Sequence, residues 1–150
     1  MVRKSLLGEI GYYLIASGFL LYGGFRLFGA VPAVTQLLGW SDTDIGRSIV
    51  DALMPAFPAM SQRAFIPLSM AAYLSWSGIM GLVLTAGALL ALFKRRVGYW
   101  LMASYFALFA VMFVNYLAFN MKIAHLATSF AFFLIMLRLP TKPSRSGAEL

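Results

Sequence analysis

From Ala64 to Phe93 the chain carries no charged side chain, and the stretch from Val97 to Asn120 carries none either. A helix that crosses about 30 Å of hydrocarbon needs roughly 20 residues, a length that each stretch supplies. Two further apolar runs flank them. Leu6 to Phe28 is interrupted only by Glu9 and Arg26 near its ends, and Ile123 to Leu139 only by Arg138. With 61% hydrophobic and 11% charged residues among 150, and a mean hydropathy of +0.83, the polar side chains cannot cover a water-soluble particle. Lipid takes the place of water. The expected class is all-α: a four-helix transmembrane bundle with spans at about 6–28, 66–93, 97–119 and 122–139.

Charge sorts the ends of these runs. Cytoplasmic loops retain Lys and Arg during insertion, and four spans place both termini on one side. Arg3, Lys4, Lys94, Arg95, Arg96, Arg138, Lys142 and Arg145 fall on that side, against Arg26, Arg47, Arg63 and Lys122 opposite. The excess puts both termini in the cytoplasm of a multi-pass protein of a bacterial inner membrane. It also accounts for the net charge of +7 and the pI near 10.1 without a nucleic-acid partner, because the basic residues mark run ends rather than one helical face. The segment 140–150 is expected to be a cytoplasmic tail, and a tight hairpin around Asn120 to Lys122 joins the last two spans. Arg3 and Lys4 before an apolar stretch, with small residues from Gly29 to Ala33, also fit a signal peptide. That stretch outruns the roughly 7–15 residues of an ordinary signal core, however, and its removal would leave contradictory charge sidedness.

The segment 30–63 is the one sizeable loop, placed outside. Ser41-Asp42-Thr43-Asp44 reads as a helix start, followed by an apolar stripe of Ile45, Ile49, Ala52 and Leu53 opposite Asp44, Arg47, Ser48 and Asp51. A short amphipathic helix, closed by Pro55 and Pro58, is expected to lie over the bundle as a lid. Met54, Phe57 and Met60 are apolar enough to dip into the interface. Small residues spaced by four (Ser77, Gly81 and Thr85; Ala103 and Ala107; Ala127 and Ala131) predict grooves of close helix approach. Trp40, Trp76, Trp100, Tyr12, Tyr13 and Tyr99 fall near span ends, as interfacial aromatics do.

Polar side chains within spans are costly, so each is a functional candidate. Most gather in the outer half: Arg26, Tyr73, Ser75, Ser77, Asn115, Asn120 and His125. Of these, Arg26, Ser75, Asn115 and His125 form the candidate ligand-binding cluster. His125 reads as a hydrogen-bond donor to a quinone carbonyl, a proton relay or an axial haem ligand, or else as a histidine satisfied by a nearby carbonyl. Arg26 reads as an anchor for an anion or a quinone head group, or as a side chain that snorkels or pairs with Asp42, Asp44 or Asp51. Glu9 sits at the end of its span, whereas proton-coupled transport needs a carboxylate deeper in. With no cysteine and one histidine, the chain has neither a covalent haem nor a bis-histidine haem of its own. There is no Gly-rich phosphate loop, HExxH, carboxylate pair or serine–histidine–acid set, so no catalytic residue and no metal site is assigned. A quinone is the cofactor these residues admit.

The first run, Tyr13-Leu14-Ile15-Ala16-Ser17-Gly18-Phe19-Leu20-Leu21-Tyr22-Gly23-Gly24-Phe25-Arg26-Leu27-Phe28-Gly29, resembles the opening helix of the DoxX-like proteins, small four-span bacterial membrane proteins. That helix typically reads glycine, aliphatics and Phe, then Gly, two residues, Lys, Leu and often Phe-Gly. Gly23 or Gly24 and Arg26-Leu27-Phe28-Gly29 match it, with Arg in the place of Lys, and the family's usual early arginine is missing. The resemblance implies a role beside quinone chemistry, since some members belong to quinol-oxidising or thiosulfate–quinone oxidoreductase assemblies. It carries over one residue, Arg26. The leading expectation is therefore a non-catalytic, accessory transmembrane subunit of a larger respiratory or photosynthetic electron-transfer complex, near a quinone path. Its partners would be membrane lipids and other membrane subunits or copies of itself. The alternatives are an independent small transporter or permease, and a quinone-linked oxidoreductase of the DoxX type.

Overall fold

The computed structural model describes the backbone of residues 2–116 and 121–139 and the side chains of 6–116 and 123–139. Asn120, the end of the third run and the tail 140–150 lie outside the described residues. The described chain is all-helical: α1 (Val2–Leu37), α2 (Asp44–Leu53), α3 (Phe57–Gln62), α4 (Met70–Leu92), α5 (Arg96–Tyr116) and α6 (Met121–Arg138). Three of them, α1, α4 and α5, are long and apolar enough to cross a membrane, and the apolar part of α6, Ile123–Arg138, is shorter.

α1 and α4 run antiparallel at backbone distance. A Cβ on Gly23 would lie 2.5 Å from Thr85 Oγ1 and 2.8 Å from Thr85 N, and one on Gly81 would lie 3.0 Å from the Cβ of Arg26. Gly81 and Thr85 thus form the small-residue groove that their spacing predicts. α4 and α5 approach as closely through Gly98, whose Cβ would lie 2.5 Å from Ala91 N. The two alanine pairs behave otherwise. Ala107, Ala127 and Ala131 are exposed, and α5 meets α6 through the rings of Phe106, Phe130 and Phe133 instead. Bulky aromatics hold α6 farther out than glycines hold α4.

The first helix does not stop near Phe28. It continues through Pro32 to Leu37, so the expected loop 30–63 begins as helix. Thirty-six residues span about 54 Å at 1.5 Å each, well beyond a hydrocarbon core. The extra turns are held by burial, since Ala33 packs with Val50 and Leu74, with Val34 and Leu37 against them. Gly39, at φ +70°, ends the helix: its N–H donates to Gln36 O and that of Trp40 donates to Thr35 O. Lys94, at φ 56°, closes α4 with the same bond pattern. At the other end of α4, Ser69 Oγ caps Ala72 N, so the helix starts at Met70 rather than at 66, leaving Pro67 in the connection.

The lid is present, turned by one position. Thr43 Oγ1 accepts from Gly46 N at 3.1 Å, and Arg47 bridges both oxygens of Asp42 at 2.6 Å. The Arg47 guanidinium holds the Asp42 carboxyl below the usual carboxylate range. The face against α1 and α4 comprises Gly46, Ile49, Val50 and Leu53, whereas Ile45 is exposed. Gly46 decides the rotation, because a Cβ there would lie 2.5 Å from Pro32 O and only glycine lets the helices meet on that side. Pro55 follows α2, but Pro58 opens α3 in its first turn, and Phe57 is buried against Tyr73. Val50→Asp should lower the stability of the detergent-solubilised protein by about 2–3 kcal/mol by burying an unpaired charge. Ile45→Asp should be close to neutral, and thermal unfolding of the two variants side by side checks the register.

At the end away from the lid, Tyr12 is buried rather than interfacial. Its hydroxyl donates to Ala91 O and lies 2.8 Å from Tyr99 Oη. Glu9 pairs there with Lys94 at 3.3 Å. Trp76 is likewise only partly exposed, with its indole N–H buried. Trp40 and Trp100 are exposed, as the sequence suggests.

Candidate functional site

The glycine contact at Gly23 and Gly81 brings Arg26 into the space between α1, α4 and α5. Its Nη1 donates to Tyr105 Oη at 3.2 Å and to Tyr22 Oη at 3.4 Å, and its Nη2 donates to Ser77 Oγ at 3.1 Å. The guanidinium carbon also lies 5.4 Å from the ring centroid of Phe109, 5.8 Å from that of Tyr105 and 5.9 Å from that of Tyr22. Hydroxyls and ring faces disperse a positive charge without neutralising it. No carboxylate pairs with Arg26 among the described residues; Asp42 and Asp44 are engaged with Arg47, and Glu9 with Lys94.

Beside Arg26 is a small chamber of about 50 Å³, walled by Ser77 and Tyr73 of α4, by Phe109 and Tyr116 of α5, and by Met60 of α3. Two polar atoms of its lining residues, Arg26 Nε and Tyr116 Oη, are buried with no hydrogen-bond partner in the protein.

His125 lies on a different face. Its ring meets that of Tyr22 edge-on, with centroids 5.0 Å apart and planes at 63°, so Tyr22 touches both Arg26 and His125. The histidine lines an open-sided groove of about 400 Å³ between α1 and α6. Tyr22, His125 and Ser129 supply its polar end, and Leu14, Ile15 and Phe132 lie along the rest. Such a groove suits an amphiphile, with polar atoms at one end and apolar wall beyond.

The other candidates part company with these two. Asn115 forms a two-way clamp: its Nδ2 donates to Ile66 O at 3.0 Å and its Oδ1 accepts from Ile66 N at 2.8 Å, fastening the chain before α4 to the end of α5. Ser75 lines a separate apolar groove between α1 and α4, together with Leu27 and Ile79. Of the four candidate residues, the structure thus brings Arg26 and His125 to a common neighbour and leaves Asn115 and Ser75 elsewhere. Five hydroxyl-bearing residues complete the arrangement: Ser77, Tyr73, Tyr22, Tyr105 and Tyr116. Ser77 and Tyr73 carry a sequence signal as polar residues in a span, but Tyr22, Tyr105 and Tyr116 do not stand out among thirteen phenylalanines and seven tyrosines.

Comparison of the chain with protein-family models, with curated proteins and with solved structures returns no match.

Proposed function

We propose that the chain is a four-span, non-catalytic membrane subunit of a larger electron-transfer assembly, and that its α1–α6 groove receives a lipid-soluble quinone. The observation that carries this reading is the polarity gradient of the groove, with Tyr22, His125 and Ser129 at one end and an apolar wall along the rest. A quinone carbonyl beside Tyr22 and His125 accepts a hydrogen bond that lipid cannot give, while the isoprenoid tail follows Leu14 and Ile15. Arg26 stands behind Tyr22, 3.4 Å from its hydroxyl, and polarises it. The resemblance of the first helix to DoxX-like proteins points in the same direction.

In this reading α6 is the fourth span. Its shorter apolar part is accommodated by local thinning of the bilayer or by packing against a partner. Both termini face the cytoplasm of a bacterial inner membrane. Because the chain has no cysteine of its own, single cysteines introduced at Ser48 and at Ser144 give an unambiguous readout. A membrane-impermeant maleimide should label the first in intact cells and the second only after permeabilisation, and the opposite pattern would invert the orientation.

The functional test is purification in mild detergent, followed by identification of the co-purifying proteins and lipoquinones. The expected result is a hetero-oligomer that carries lipoquinone. His125→Phe keeps the ring volume and removes both nitrogens, so it should lose the quinone with the fold intact. A homo-oligomer free of lipoquinone would reject the proposal, and so would full retention of quinone by His125→Phe.

A further inference from the structure

The α1–α6 groove leaves the Arg26 chamber unexplained, for the two cavities share no lining residue. Among the described residues, the chamber joins a guanidinium that has no carboxylate partner to two buried polar atoms that have no hydrogen-bond partner, Arg26 Nε and Tyr116 Oη. Tyr116 is only 5% exposed, so its hydroxyl has little recourse to bulk water. An unsatisfied buried donor and a half-buried cation with no carboxylate beside it are each unfavourable, and a single ligand in this space would relieve both.

We propose that this chamber is a binding site for a small monovalent anion of halide size. Charge selects that class, and the room admits it. About 50 Å³ of room, several times the roughly 10–15 Å³ that one water needs, admits an ion of chloride size. One unpaired guanidinium matches one negative charge, and no second cation belongs to the chamber lining. Ser77 and Tyr73 add hydroxyls beside the two unpartnered donors, and Phe109 contributes an apolar wall. The site lies at the lid end of the bundle, with Met60 of α3 among its walls, so an anion enters from the lid side. The proposal stands independently of a quinone in the groove.

The test uses the full chain in an uncharged detergent at constant ionic strength, with chloride as the probe. Gluconate, too large for the chamber, serves as the reference anion, and sulfate as the divalent comparison. Thermal unfolding should shift upward with chloride along a saturable curve, as a ligand that binds only the folded state requires, and should not shift with sulfate. Broadening of the ³⁵Cl resonance should report the same site directly and be displaced by bromide. Tyr116→Phe removes one donor that nothing in the protein satisfies, so the variant should fold as the parent does. Its apparent chloride dissociation constant should rise about three- to tenfold, the loss of one hydrogen bond. Arg26→Met should abolish the chloride shift. Equal stability in chloride and gluconate would overturn the proposal. A saturable shift that Tyr116→Phe leaves unchanged would overturn it as well, by placing the anion elsewhere.

Discussion

Gly23→Ala should destabilise the protein by about 2–3 kcal/mol, while Gly24→Ala, one residue on, should be neutral or stabilising by up to about 1 kcal/mol. The two substitutions add the same methyl group to the same helix and gain the same helix propensity. They differ in what that methyl meets. At Gly24 nothing lies within 4 Å, whereas at Gly23 the new carbon falls 2.5 Å from Thr85 Oγ1, 2.8 Å from Thr85 N and 3.1 Å from Gly81 O. The hydroxyl cannot simply swing away, because it donates to Gly81 O at 2.8 Å, and the other two atoms are backbone. The helices must separate. Separation strains every contact that α1 makes across α4, including the Arg26–Ser77 bond and the Tyr12–Ala91 bond near the opposite end. Denaturant unfolding of both variants in the same micelles, followed by tryptophan fluorescence, measures the difference. Equal behaviour of the pair would mean that α1 and α4 are not in backbone contact. The first-helix motif reads equally well on Gly23 or Gly24, and only the three-dimensional contact tells them apart.

That ambiguity shows where the sequence stops being informative. The four apolar runs, the lid helix and its start at Asp44, and the break at Lys94 to Arg96 are legible because each rests on a local signal: absence of charge, a capping residue, a charge cluster. The rotation of each helix is not. A helix that is apolar all round offers no stripe to orient it, so Arg26 could be found on a helix but not aimed at Tyr105. The lid shows the same limit on a small scale. Its apolar positions suggested a face through Ile45, and the observed face passes through Gly46 because a glycine permits the nearer approach to Pro32. The first helix overruns its expected end near residue 28 because that end was set by the length of one membrane span and the charge at Arg26, while the stop signal, Gly39, lies beyond it. Asn115 and Ser75 were drawn to the candidate cluster by depth alone, and depth does not say which neighbour a side chain has.

Arg26→Met is the substitution in which opposing terms are largest. Met preserves most of the apolar stem and its packing but removes the charge and every donor. The loss falls on hydroxyls from three helices, Tyr22 on α1, Ser77 on α4 and Tyr105 on α5. Hydrogen bonds from a charged donor are worth about 1.5–3 kcal/mol each, and Tyr105 is fully buried, so its hydroxyl, left with Tyr22 alone, cannot turn to water. Against this stands the cost of desolvating a cation with no carboxylate beside it, several kcal/mol for a fully buried ion. Arg26 is only partly buried, and three aromatic rings face its guanidinium, which reduces that cost. The hydrogen bonds should therefore prevail, with a net loss of about 2–4 kcal/mol when unfolding is followed in gluconate. Arg26→Lys retains the charge, but one ammonium cannot reproduce a planar fork that reaches three helices, so less than half of the loss should be recovered. A Met variant more stable than the parent in gluconate would reverse the ranking. The cation would then be a net cost to the fold, with nothing to compensate it except a bound ligand.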